Sequence, residues 1–287
     1  MRIFNAPHFL RHISMPTLRE FTDGHDFGPT LVIDWTGPEE QLAAMVNAAV
    51  AAIEASLTDP GLTAEARKDT QHNLHLWSDD LRRAHLMSND LSIKYFQMAC
   101  AADHVALAAF AIRDAREQSL WMLTFRNKAF RDAEMHIAFQ ANSNGKYWKK
   151  HRIQAGLDPT TDQEKLKAFG REVAKLYKKV GGGEGTHIEV SKHPSGDSVQ
   201  LSIYVEGPIT ALAHFSDNSF KRITTRIALE TALVYQPSTG FVESVVKGVP
   251  RTTVRCWNCS ASTWSSSPSR PRKSRKPATS STSCATE

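Results

Sequence analysis

The chain has 287 residues, 41% of them hydrophobic and 23% charged, with a formal charge of +5. That length buries a sizeable core as one large domain or two small ones, and no apolar run reaches the ~18 residues that a membrane-spanning helix needs. The positive charge is local: residues 250–287 hold seven Lys/Arg against Glu287, a net of +6, which leaves −1 for residues 1–249. Global basicity is therefore no sign that the folded part binds polyanions. Cys256, Cys259 and Cys284 lie in the same stretch and only Cys100 lies in the body, which excludes a disulfide scaffold there. The first eight residues carry one basic group and no continuous apolar run follows, so no signal peptide is expected and the cytosol is the expected compartment.

In chain order, residues 16–21 suit one or two helical turns and 30–35, Thr-Leu-Val-Ile-Asp-Trp, a short apolar strand. Thr36-Gly37-Pro38-Glu39 reads as a capping box opening a helix to residue 56, with Leu42, Met45, Val46, Ala49, Val50 and Ile53 on one face. Asp59-Pro60-Gly61 breaks it. A second helix is expected over 63–88, with Leu74, Trp77, Leu81 and Ala84 as its stripe, and a third over 91–102. Residues 103–141 read as one long helix, and its many large apolar groups imply packing on more than one face. Asn142-Ser143-Asn144-Gly145 ends this helical bundle. A basic segment leads to a helix over 161–179, and Gly181-Gly182-Gly183-Glu184-Gly185 reads as a hinge.

Beyond the hinge the hydrophobic period changes to two. Strands are expected at 187–191, 199–205, 209–215, 223–235 and 241–246, with turns at Pro194-Ser195-Gly196-Asp197 and Gln236-Pro237-Ser238-Thr239-Gly240. Helices followed by consecutive strands predict an α+β protein with a mostly antiparallel sheet. The expected division is a helical region over 1–180, a sheet region over 186–248 and a tail over 249–287.

Ser and Thr supply 16 of the last 38 residues, too polar a stretch to offset the entropy of ordering it, so the tail is expected to be disordered. Two origins compete: a natural basic tail, and translation in a shifted frame. The second is preferred, because residues 251–266 read one base out of register give a helix-forming string with apolar positions at helical spacing. In that case the sheet's closing helix is missing or garbled. Zinc is not expected at Cys256-Trp257-Asn258-Cys259, since only Cys284 follows and no histidine lies beyond His214.

His8-Phe9-Leu10-Arg11 with Leu18-Arg19-Glu20-Phe21, Tyr147-Trp148-Lys149-Lys150, and the hairpin Leu233-Val234-Tyr235-Gln236-Pro237-Ser238-Thr239-Gly240 resemble an uncharacterised bacterial family of similar layout over residues 1–248. The resemblance implies a helix after the late hairpin and carries no activity or site.

The best local signal is Lys146-Tyr147-Trp148-Lys149-Lys150-His151-Arg152, backed by Lys165, Lys167, Arg171, Lys175, Lys178 and Lys179. Residues 146–179 hold ten Lys/Arg against Asp158, Asp162, Glu164 and Glu172, a net of +6. Cations interleaved with Tyr and Trp neutralise phosphates and stack bases. The plainer alternatives are a solvated helix face whose Tyr/Trp pair anchors the loop, and a surface for an acidic protein partner.

His72, His75, Asp79 and Asp80 share a helix, with His75 and Asp79 at the i,i+4 spacing that holds metals. Asp103, His104, Asp132, Glu134 and His136 are further donors, Asp132 and His136 again at i,i+4. Helix-surface ion pairs and helix-start acids account for the same residues without metal. The Gly181–Gly185 stretch lacks the Lys-Ser/Thr of a phosphate loop and leads into a strand. Cys100 sits in an apolar helix as a buried thiol, and no Gly-x-Ser-x-Gly elbow is present.

The expected function is therefore a non-catalytic binding or accessory protein that presents Lys146, Tyr147, Trp148, Lys149, Lys150, Arg152, Lys175 and Lys178 to nucleic acid, another polyanion or an acidic protein. No membrane association and no cofactor are expected. The alternatives are an enzyme using His75, Asp79, Asp132 and His136, with a divalent metal, and a truncated remnant with an unfinished sheet.

Overall fold

The computed structural model describes residues 4–142, 148–179, 181–216 and 219–246. The expectations for the tail, and for Lys146 and Tyr147, lie outside the described residues. The helices come first: α1 (Ala6–Leu10), α2 (Met15–Gly24), α3 (Leu42–Ser56), α4 (Ala64–Leu86), α5 (Asp90–Cys100), α6 (His104–Ala111), α7 (Ala115–Phe125) and α8 (Asn127–Asn142). Strand β1 (Trp148–Arg152) and helix α9 (Gln163–Lys178) precede β2 (Thr186–Lys192), β3 (Val199–Ser216), β4 (Ser219–Gln236) and β5 (Phe241–Val246). The strands form one antiparallel sheet in the order β1-β5-β4-β3-β2, so the class is α+β. Among the described residues no helix is long and apolar enough to cross a membrane.

Five local expectations change. The strands expected at 199–205 and 209–215 are one, β3, whose pairing with β4 shifts register between Glu206 and Ile209. Residues 30–35 form no strand: Leu31 and Ile33 plug the bundle core while Val32 is 89% exposed, and among the described residues no strand lies beside them to pair with. The capping box at Thr36 is not made, because Thr36 instead bonds Asp34 through its N–H and hydroxyl, at 2.9 and 2.6 Å. The helix expected over 103–141 is three helices. Asp114 accepts from the Arg116 and Glu117 N–H groups and so starts α7, and Arg126 leaves helical geometry at φ −135°. The segment expected as a basic connection is β1, paired with β5 from Trp148–Val245 to Arg152–Phe241.

The bundle core is built on Leu18, Val46, Trp77, Leu81, Phe96, Leu120 and Phe130. The sheet has its own core on one face, where Leu166, Phe169, Val173 and Tyr177 of α9 meet Leu201, Ile203, Val205, Leu233 and Tyr235. Period-two alternation sends Gln200 and Ser202 to the other face, where the Gln200 amide donates to the Met135 carbonyl of α8 at 3.1 Å. Phe139 packs on that face with Ala232, Val234, Val245 and Trp148. Helix α8 thus joins the two parts, with Phe130 and Ala133 in the bundle core and Phe139 on the sheet. The central sheet is thus covered by α9 on one face and by α8 on the other.

Gly170 lets α9 lie close to β2, since a Cβ there would stand 2.4 Å from Thr186 Oγ1. Gly240, at φ +71°, closes the β4–β5 turn and accepts from the Ile153 N–H at 2.8 Å, fastening the chain after β1 to that turn.

Candidate binding surface

Helix α9 begins where Asp162 accepts from the Glu164 and Lys165 N–H groups. Its sequence is amphipathic at the helical period. Leu166, Phe169, Val173, Ala174 and Tyr177 turn inward, and the Tyr177 hydroxyl meets Thr231 Oγ1 at 2.5 Å. All six cations of the helix and its cap, Lys165, Lys167, Arg171, Lys175, Lys178 and Lys179, are exposed, against Glu164 and Glu172. Lys167, Lys175 and Lys178 pair with Glu164, Glu172 and Glu184 at 3.0, 2.6 and 2.6 Å. Lys165, Arg171 and Lys179 have no carboxylate partner among the described residues. Exposed ion pairs of this kind are worth ~0–1 kcal/mol, so a phosphate displaces them readily.

The basic-aromatic segment is placed differently. Trp148 is anchored in the sheet face with Phe139 and Val245, which is packing and not base stacking. Its ring Nε1 and the Nε2 of His151 are buried with no hydrogen-bond partner among the described residues. Lys149 is exposed. Lys150 is held 2.9 Å from Glu243, with its ammonium 4.6 Å from the Phe241 ring centroid, and the Arg152 guanidinium lies 5.9 Å from the same centroid. Strand β1 is an edge strand at the opposite side of the sheet from β2, and cations on an edge strand oppose edge-to-edge pairing. The sequence grouped Lys149, Lys150 and Arg152 with Lys175 and Lys178. The fold instead seats Lys175 and Lys178 on α9, whose packing is against β2 and β3.

The C-terminal end of α9 leads to the root of the β3–β4 hairpin. There Gly183 N–H donates to the Glu206 carbonyl at 2.9 Å, Arg226 Nη1 reaches the Gly207 carbonyl at 2.9 Å, and Arg226 Nε lies 3.2 Å from Glu206 Oε1. No sequence signal placed these groups together, because they meet only when the sheet forms.

The alternative His/Asp set does not assemble: among the described residues no group of three or more His, Cys, Asp or Glu is arranged to hold a metal. His75 and Asp79 are exposed on α4, where Asp79 pairs with Arg82. Asp80 and Glu134 are both occupied by Arg83, at 2.7 and 2.6 Å. Asp103 caps α6 and pairs with Arg126. Asp132 binds Lys128 at 2.7 Å and lines a cavity of about 320 Å³ with Arg131, Gln163 and Glu189. His136, one turn on, is buried beneath β2 with Nε2 3.4 Å from Ser191 Oγ. Cys100 is a buried thiol beside Met122, raised above its ordinary pKa by burial. Neither a protein-family model nor a curated protein matches the chain.

Proposed function

We propose that the protein is a non-catalytic binding protein that holds a polyanion, a nucleic acid in the first place, against the outward face of α9. One observation carries this reading: that face presents six exposed cations and two carboxylates, and three of the cations have no carboxylate partner among the described residues. An unpaired cation on a rigid helix neutralises a phosphate without first losing a protein partner, and the counterions it releases drive association. Lys175 and Lys178 belong to this surface. Lys150 and Arg152, already engaged at Phe241, do not.

Binding of duplex DNA to the full chain, titrated over salt, tests the reading. Each phosphate contact contributes about 0.9 to the slope of log K against log salt. Replacing Lys165, Arg171 and Lys179 together by Ala is expected to flatten that slope by about 2 to 3 units. The basic residues beyond 250 contribute equally to both proteins, so an unchanged slope removes α9 from the contact.

A further inference from the structure

Past the sheet, β3 and β4 run on with no third strand among the described residues. β2 pairs as far as Val205 and the described part of β5 as far as Thr231, while β3 and β4 stay paired from Ile209–Arg226 out to Ser216–Ser219. At ~3.3 Å per residue this is a two-stranded ribbon about 25 Å long. A register shift between Glu206 and Ile209 marks its root, a device that bends and twists a strand pair. Its side chains are unusual for a surface: Phe215 is 78% exposed, Phe220 56%, Ile209 63% and Ile223 45%, and the two phenyl rings meet edge to face at 5.6 Å. A lone hairpin is marginal in water, and a run of exposed apolar groups marks a contact surface.

We propose that this ribbon lies in the major groove of duplex DNA. The inference rests on the polyanion reading of α9 and names its partner. The register puts Arg226, Thr224, Arg222 and Phe220 on one face, opposite Ile209, Ala211, Ala213 and Phe215. Small groups at Ala211, Ala213 and Thr224 let the backbone come close to base edges, and Ala, Thr and Phe are the side chains that contact thymine methyl groups. Arg222 is exposed, with no carboxylate partner among the described residues, and is free to reach a phosphate or the acceptors of guanine. Arg226 is tied to Glu206 and fixes the root.

Three considerations select this occupant. From 209 to 226 the sequence carries Lys221, Arg222 and Arg226 against Asp217, and with Arg226 held by Glu206 one positive charge stays in excess, so the charge complement is anionic, and two such ribbons face to face would oppose like charges. Among the described residues neither outer edge of the ribbon has a neighbouring strand. Their N–H and C=O groups are costly in lipid, where nothing hydrates them, but find water and base edges in a groove. Finally, the B-form major groove, ~12 Å wide, admits a two-stranded ribbon, whereas the A-form groove of RNA is too deep and narrow.

The test measures binding of the full chain to one 20-base-pair sequence prepared as DNA and as RNA, alongside vesicles of anionic phospholipid and the protein's own mass in solution. DNA is expected to bind at least tenfold tighter than RNA. Arg222→Ala, and Phe215→Ser with Phe220→Ser, should each weaken DNA binding about five- to tenfold and leave RNA binding within twofold. These side chains are exposed, so unchanged circular dichroism confirms that the variants fold. Equal affinity for the two duplexes, or variants that bind DNA like the parent, overturns the groove assignment while leaving polyanion binding standing. Preference for vesicles, or a dimer that the Phe replacements dissociate, overturns it in favour of lipid or a second copy. No binding to either duplex overturns the α9 reading as well.

Discussion

His136 is 5% exposed, with its ring centroid 5.5 Å from Tyr95 of α5 and 5.2 Å from His193 in the β2–β3 turn. Burial, and then the neighbouring His193, lowers its pKa from 6.5 to about 4, against the opposing pull of Asp132 on its own helix. Burial also lowers His193, which Asp197 partly offsets, and pushes the Tyr95 hydroxyl up to about 12. Because the folded value of His136 lies below the ordinary one, the unfolded chain takes up the proton first as pH falls. Stability is therefore intact above about 6.5 and drains away towards pH 4, by ~3 kcal/mol at most. Urea unfolding at pH 7.5 and 4.5 should show the parent losing about 2 kcal/mol more than His136→Gln, and equal losses would exclude this origin. The i,i+4 spacing of Asp132 and His136 was visible in the sequence and correctly put both on one helix. It could not show that Lys128 takes the carboxylate or that β2, 55 residues on, covers the imidazole. The helix over 161–179 was likewise readable, but that its Tyr177 would meet Thr231, 54 residues on, was not. Tyr177→Phe should cost ~1–3 kcal/mol by chemical denaturation, since the buried Thr231 hydroxyl loses its bond.

At the scale of elements, long amphipathic segments were the most legible. The α4 stripe of Leu74, Trp77, Leu81 and Ala84 is buried as its spacing demands. Ends were less so, because capping groups come from afar. Glu39, read as part of the α3 box, accepts the Met15 N–H at 3.0 Å, and Glu117 accepts the Ser14 N–H at 2.8 Å. Two carboxylates from distant elements thus serve the first turn of α2. Glu117→Ala should lower stability by about 1 kcal/mol, and thermal unfolding should leave Glu54→Ala, exposed on α3 with no such bond, unchanged. Strand β1 escaped notice because Trp-Lys-Lys-His-Arg lacks a clean period of two, and β5 supplies its order. Gly240→Ala tests that linkage: the position has φ +71° and a Cβ would stand 2.6 Å from the Ile153 carbonyl. A loss of ~2 kcal/mol or more is expected, and a neutral result would mean that the turn does not hold β1.

Seen whole, the molecule has a helical core, a sheet core and α8 spanning both. The α+β class followed from the change of hydrophobic period alone. The ribbon did not, because residues 209–215 and 223–235 read as ordinary strands, and nothing in them told that among the described residues no strand would lie along their outer edges. The same limit hid the hydrogen bonds by which residues 181–185, after α9, reach Glu206 and Arg226 at the ribbon root. Hydrogen exchange on the full chain, with and without a 20-base-pair DNA duplex, tests the combined surface directly. Slowed exchange is predicted across 209–227 and 165–179, with 148–152 unaffected; protection at 148–152 instead, or at none of these segments, would contradict it.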